Sequence, residues 1–298
     1  MDGMTFTRRS FVAGSVALAA AARSQAFGMS SAGSLTAAEV VDRIKGKVGI
    51  PWMTTTVDRI VAGEATTPVR GIATTMMATL EVIQRAVAAG KNMIVTHEPT
   101  FYSHQDTTAE LVGDPTYEFK RKYLAEHGVV VFRFHDHWHR MSPDGINAGM
   151  TRELGWEKNA TERDSHEFVF PPTTLQALVN NMATRLQAHS MRIVGDPHLE
   201  VKRVAASWGY ASLMPKMIKI AARPDIDVVI CGETREWEMV EYVQDQVASG
   251  AKKALIVINH VASEQAGMRY CADWLKPIVP EVPVEFIASQ EPFWIAHA

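Results

Sequence analysis

Histidines and carboxylates gather in three short segments, each closing an apolar run. They are Ile94-Val95-Thr96-His97-Glu98, Phe132-Arg133-Phe134-His135-Asp136-His137-Trp138-His139, and Ile256-Val257-Ile258-Asn259-His260 with Glu264 beyond. Imidazole and carboxylate together form the donor set suited to zinc, iron, nickel or manganese, so the chemistry to expect is that of a divalent metal. His260 and Glu264 are four residues apart and stand one turn apart on a helix beginning near Val261. His135, His137 and His139 alternate, and on an extended strand they would share one face while Asp136 and Trp138 take the other. One histidine after a strand is usually a solvated loop residue. Three at equivalent positions point instead to a shared site, with one or two of them acting behind the ligands. His104, His127, His166, His189, His198 and His297 lack paired spacing and read as surface residues.

For these segments to meet, their apolar runs must be strands of parallel sheet, because ligands bind in the crevice beyond the carboxyl ends of such strands. The sequence around them has that rhythm. Thr36 and Glu39 form a capping box that opens a helix to about Lys45. Strands are expected at 69–75, 93–96 and 129–134, separated by helices over 77–89 and from Pro115 to Gly128. A short helix, 146–154, ends at Gly155. The middle of the chain is less regular, with strands at 166–170, 191–195 and 201–207. Alternation resumes with strands at 227–231, 254–258 and 284–288 and helices over 235–249 and 262–275. The expected fold class is therefore α/β: two α/β domains with mostly parallel sheets and a metal site at strand carboxyl ends. Residues 34–155 plus 228–298 are expected to form the metal-binding domain, with 156–227 inserted as the second.

Composition excludes several classes. The chain has 298 residues, 47% of them hydrophobic and 21% charged, values that rule out disorder and coiled coil. A net charge of -3 and the lack of a long basic run argue against a nucleic-acid partner. Only Cys231 and Cys271 are present, outside any C-x-x-C pair, so thiolate zinc sites and disulfide scaffolds are not expected. The N-terminus carries an address. Thr7-Arg8-Arg9-Ser10-Phe11-Val12 precedes a short run of small apolar residues ending near Ala22, and Ser24-Gln25-Ala26 fits a small-x-small cleavage site. These features predict a twin-arginine export signal over 1–26, a periplasmic or otherwise exported protein, and no stable membrane insertion after cleavage.

Four motifs in order carry a family resemblance: His97-Glu98-Pro99-Thr100-Phe101, Asp144-Gly145-Ile146-Asn147, Gly232-Glu233, and His260 to Glu264. The chain resembles the Nif-three-like dinuclear metal-centre proteins, also called GTP cyclohydrolase type 2 homologues, from about Thr36 to Phe293. The resemblance implies a Nif-three-like fold, two divalent ions and a hexamer built as a trimer of dimers. It further implies bridging by Glu264, with Glu98 a second bridging candidate, and terminal ligation by His97, His139 and His260. Asp136 and His135 compete with His139 for the second-motif position.

Two departures from the family pattern are evident. Glu98 stands where the family has a second adjacent histidine, and His139 stands where it has an aspartate. The two exchanges cancel in formal charge. Glu233 and Glu236 stand after the strand ending at Cys231, where the resemblance puts the Gly-Glu segment near the metals, and are candidates for general base or for supporting roles. The expected function is hydrolysis of a small polar molecule by cyclic C–N bond opening; the alternative is a non-catalytic metal-binding scaffold or reservoir. A third reading makes His135-x-His137 the histidine pair of an amidohydrolase barrel. That barrel needs the pair on its first strand, and at least two strands precede it here.

Overall fold

Two five-stranded sheets, each backed by helices, form the protein in the computed structural model, which describes residues 34–211 and 214–296. Residues 1–26, where an export signal is expected, lie outside the described residues. The first sheet has the order β1-β4-β3-β2-β10, with β1 (Ile60–Ala62), β2 (Ile72–Thr75), β3 (Met93–Thr96), β4 (Val130–Arg133) and β10 (Val284–Phe286). All its pairs are parallel except β1 with β4. The second sheet runs β5-β7-β8-β9-β6, from β5 (Glu167–Thr174), β6 (Arg192–Val194), β7 (Glu200–Tyr210), β8 (Val228–Glu233) and β9 (Ala254–Val257). Its three central strands are parallel and its edges antiparallel.

Strands β2, β3, β4 and β9 are buried on both faces, and this is why they read as unbroken apolar runs. Alternate residues serve different layers. Ile72, Val95 and Phe132 of the first sheet share a central core with Val204, Ile230 and Ile256 of the second. Ala73, Ile94 and Val131 face outward against α2 (Leu80–Ala88) and α3 (Pro115–Glu126). Ala205, Val229 and Leu255 face α7 (Met214–Ala221) and α8 (Glu241–Ala248) on the far side. The result is five layers, helix and sheet alternating, with α1 (Ala37–Lys47), α5 (Gly145–Leu154), α6 (Leu175–Leu186) and α9 (His260–Leu275) in the middle.

The middle layer brings the two sheets to one site. Helices α5 and α9 cross so closely that a Cβ on Gly149 would lie 2.5 Å from the Gly267 Cα. That approach seats α9 against β2 and β10 on one side and β7 and β8 on the other. Strands β8 and β9 pair with β7, so the second sheet continues past residue 227 and includes the strand that delivers His260. Residues Leu35–Ala298 cluster as one compact unit. No helix among the described residues is long and apolar enough to cross a membrane.

Candidate metal centre

Strand β3 ends at Thr96, so His97 and Glu98 emerge at the carboxyl edge of the first sheet, both buried. The fully buried Arg133 at the end of β4 fixes them. Its Nε donates to the His97 carbonyl at 3.2 Å, and its Nη2 lies 3.5 Å from Glu98 Oε2. After β4 the chain does not continue as a strand. It turns into α4 (Asp136–Arg140), where the amide of His139 donates to the His135 carbonyl at 3.0 Å. A helical turn, in which residues four apart align, decides which histidines converge. His135 and His139 come to one face, and His137 turns away.

Asp58 causes that turn. Its carboxylate accepts from the amides of His135 (2.7 Å), Asp136 (2.9 Å) and His137 (2.8 Å), three of the four donors that a helix start leaves open. It also binds His137 Nδ1 at 2.6 Å, while His137 Nε2 accepts from the Met53 amide at 3.0 Å. With both ring nitrogens used and Trp52 stacked on it at 3.6 Å, His137 is a structural residue.

The other wall is the first turn of α9. Asn259 caps it, accepting from the Ala262 amide at 2.8 Å, and is itself held at φ 109°. Backbone strain of this kind persists where the surrounding structure enforces it, commonly at functional sites. Gly209, at φ 70°, passes under this turn. A Cβ there would meet Glu264 Oε1 at 2.2 Å and His260 Nε2 at 3.2 Å, so only glycine leaves these side chains their places.

Four imidazoles share one arrangement. His97 Nδ1 donates to the Phe134 carbonyl at 3.2 Å, His135 Nδ1 to Asp136 at 2.9 Å, His139 Nδ1 to Asp144 at 3.1 Å, and His260 Nδ1 to Glu233 at 3.2 Å. Each Nε2 is thereby turned toward a carboxylate. His97 Nε2 and His260 Nε2 lie 3.6 Å and 3.1 Å from the same oxygen, Glu264 Oε2, and His139 Nε2 lies 3.9 Å from Glu264 Oε1. Glu98 Oε1 is 3.3 Å from His260 Nε2 and 3.8 Å from His135 Nε2. Donor atoms of His97, His135 and His139 fall within 4.8 Å of one another, as do those of His97, Glu98 and Glu264. His97 Nε2 is buried with no hydrogen-bond partner.

The electrostatics fit a cation. Burial opposes charge on His260, but hydrogen bonds to Glu233, Glu264 and Glu98 push it up to about 12. Burial likewise opposes ionisation of Glu98, and His260 together with His135 and Arg133 brings it down to about 2. His97 moves the other way, held well below the usual histidine range by burial and by the neighbouring His135 and His139. Its neutral ring, with Nδ1 engaged and Nε2 free, is the form that ligates a metal.

The segment from residue 56 to 292 matches the model of the family described as Duf34/NIF3 (NGG1p interacting factor 3). The chain belongs to the Duf34/NIF3 family. Every residue of the cluster lies inside the matched segment. A protein of Chlamydia muridarum (strain MoPn / Nigg) named GTP cyclohydrolase 1 type 2 homolog is 22% identical over 238 residues, spanning 78% of this chain and 88% of its own. A Clostridium acetobutylicum protein of the same name is 21% identical over 200 residues, covering 63% of this chain and 72% of its own. The fold is shared with Staphylococcus aureus protein SA1388 (TM-score 0.68, 17% identity, 89% of this chain and all of that one). It is shared equally with a Bacillus cereus protein related to NIF3 (TM-score 0.68, 12% identity, the same coverage).

Within this Duf34/NIF3 chain, His97, Glu98, His135, His139, His260 and Glu264 come together, and three expected residues stand differently. Asp136 is spent behind His135, its second oxygen accepting from Thr56 Oγ1 at 2.8 Å and the Val57 amide at 3.1 Å. Glu233 supports His260, and that bond, against partial burial, lowers its pKa. Glu236 stands apart from the groups described above. It opens a π-helical turn on the exposed surface, is held by Arg192 at 3.0 Å and does not line the cavity on which the cluster opens.

Sequence reasoning missed Asp58, Arg133, Gly209 and the orienting role of Asp144. Only Asp144 stood in a recognised motif. His104 and His166, read as surface residues, also lie close by. The His104 ring is 5.8 Å from that of His135, and His166 Nε2 is 3.9 Å from Asp144 Oδ2.

Proposed function

We propose that this cluster binds two divalent metal ions and that the protein is a metal-dependent hydrolase of a small polar substrate, opening a cyclic C–N bond. The observation that carries the reading is the shared orientation of four imidazoles, each with Nδ1 against an oxygen and Nε2 turned inward, the arrangement that histidine ligands adopt. His97, His135, His139 and His260 would serve as terminal ligands. Glu264 presents its two oxygens to different histidines and would bridge, with Glu98 completing the set. Bound divalent ions supply Lewis acidity that polarises an amide oxygen and acidifies water. Glu233, ionised and half exposed beside His260, is the residue placed to accept a proton at its free carboxylate oxygen. The cluster opens into a cavity of about 800 Å³, room for a small substrate.

The twin-arginine motif supports export of the protein, and the family resemblance supports a hexamer. The test is elemental analysis with anomalous scattering on protein purified from its native compartment, followed by a hydrolysis panel of lactams, cyclic amides, phosphoesters and nucleotides. Two ions at these side chains and turnover lost in His97→Ala and Glu264→Ala are expected. Two ions with no turnover across the panel would leave the scaffold reading.

A further inference from the structure

The cavity that opens on the cluster has, among the described residues, a single lysine or arginine in its wall: Lys120, on α3. The side chain is buried, at 5% exposure, yet among the described residues no carboxylate lies within ion-pairing distance of it. Its Nζ donates to the Thr100 carbonyl at 2.6 Å and sits 5.7 Å and 5.4 Å from the rings of Phe101 and Tyr102. One carbonyl and two ring faces leave an ammonium with unused donors in a place where charge is costly. The nearby Asp106 is already occupied, accepting from the amides of Thr100 (2.7 Å) and Phe101 (2.8 Å) and facing Arg133 at 3.4 Å.

Thr100, whose carbonyl takes the Lys120 bond, also carries a hydroxyl without a partner. Thr100 is 1% exposed, lines the same cavity, and its Oγ1 has no hydrogen bond. Thr100 is two residues from Glu98, so this corner is tied directly to the cluster. The loop that carries it is also strained, with Tyr102 at φ 63° and Asp106 at φ 49°. A buried ammonium with donors to spare and a buried hydroxyl without a partner, both on residues that line one cavity, are groups that an entering anion would satisfy.

We propose that Lys120 Nζ and Thr100 Oγ1 form an anion subsite that binds a carboxylate on the substrate, holding it while its ring amide faces Glu98, His260 and Glu264. The substrate class is thereby narrowed to carboxylated cyclic amides, a step that rests on the hydrolase reading above. A single cation paired with a neutral donor matches one negative charge, which favours a carboxylate over a phosphate dianion. Burial pulls the Lys120 amine down to about 8, so it still carries its charge at neutral pH.

The test is calorimetric binding of 2-pyrrolidinone and of its 5-carboxylate, a pair that differs only in the anion, to the full-length protein with its native metal. Metal content is measured on the same samples. The carboxylate is expected to bind about tenfold tighter, the contribution of one charge-assisted hydrogen bond. Lys120→Met should erase that preference, Lys120→Arg should keep part of it, and Thr100→Val should reduce it about threefold. Equal affinities in the wild type, binding of neither compound at millimolar concentration, or discrimination intact in Lys120→Met would each overturn the subsite. Should Lys120→Met not fold, Thr100→Val and the wild-type comparison decide between the same outcomes. Protein that holds no metal but still discriminates would keep the subsite and remove the hydrolase reading.

Discussion

His97 Nε2 lies 3.6 Å from Glu264 Oε2, both side chains are buried, and the nitrogen has no hydrogen-bond partner. The first comes from the edge of one sheet, the second from a helix that packs on both. A lone pair and a carboxylate oxygen at this separation in a dry setting repel one another unless a proton or a cation stands between them. His97→Ala and Glu264→Gln should therefore lower bound metal to less than about one tenth of wild type, since each removes a ligand. Far-UV circular dichroism should be unchanged. Full metal retention in both variants, read by elemental analysis, would refute the ligand assignment.

Carboxylates behind the histidines should matter almost as much. Asp136, Asp144 and Glu233 each hold one Nδ1. Asp136→Asn, Asp144→Asn and Glu233→Gln are expected to weaken metal affinity about 10- to 100-fold, the usual effect of removing such a support. Competition against a chelator measures it, and affinities unchanged in all three would show that the rings are held by packing alone.

Gly209→Ala adds one methyl group where Glu264 Oε1 would be 2.2 Å away and where φ is 70°. The expected outcome is loss of metal with modest loss of stability, about 1 kcal/mol from the backbone conformation. A variant that binds metal normally would mean that the first turn of α9 shifts freely.

Asp58 is a stability residue at the site. Asp58→Ala leaves three amides and a histidine without their acceptor. Unpaired buried donors cost about 1–3 kcal/mol each, so a loss of several kcal/mol is expected in urea denaturation of the metal-free protein. A loss below about 1 kcal/mol would contradict Asp58's role in forming the α4 turn.

Lys120 has the opposite signature. Its folded value, about 8, is below the ordinary 10.5 because burial disfavours the ammonium. Between those two values the unfolded chain binds a proton that the folded chain does not, so wild-type stability gains with rising pH across this window. Lys120→Met lacks that slope. It should be more stable than wild type at pH 7, by on the order of 1 kcal/mol after loss of the bond to Thr100, and the advantage should shrink between pH 8 and 10.5. Thermal denaturation across pH decides it; an advantage that does not change with pH would mean that the amine is not desolvated.

The apolar runs before His97, His135 and His260 are legible as buried strands because residues that face a core on both sides leave no polar alternation. The i, i+4 relation of His260 and Glu264 was equally plain, since helical spacing is local. Three things were decided only by tertiary structure. The turn at His135 depends on Asp58, whose three accepted amides come from a segment distant in sequence, so alternation alone suggested an extended strand. The place of β8 and β9 in the second sheet follows from pairing with β7, which no single strand's composition encodes. The ring orientations of His97 and His260, finally, are set by partners on other elements: the Phe134 carbonyl and Glu233 hold their Nδ1 atoms, contacts that exist only once the strands and α9 have come together, whereas Asp136 and Asp144 hold His135 and His139 from nearby in sequence. Sequence specified the side chains able to bind; packing across two sheets determined the direction in which their lone pairs point.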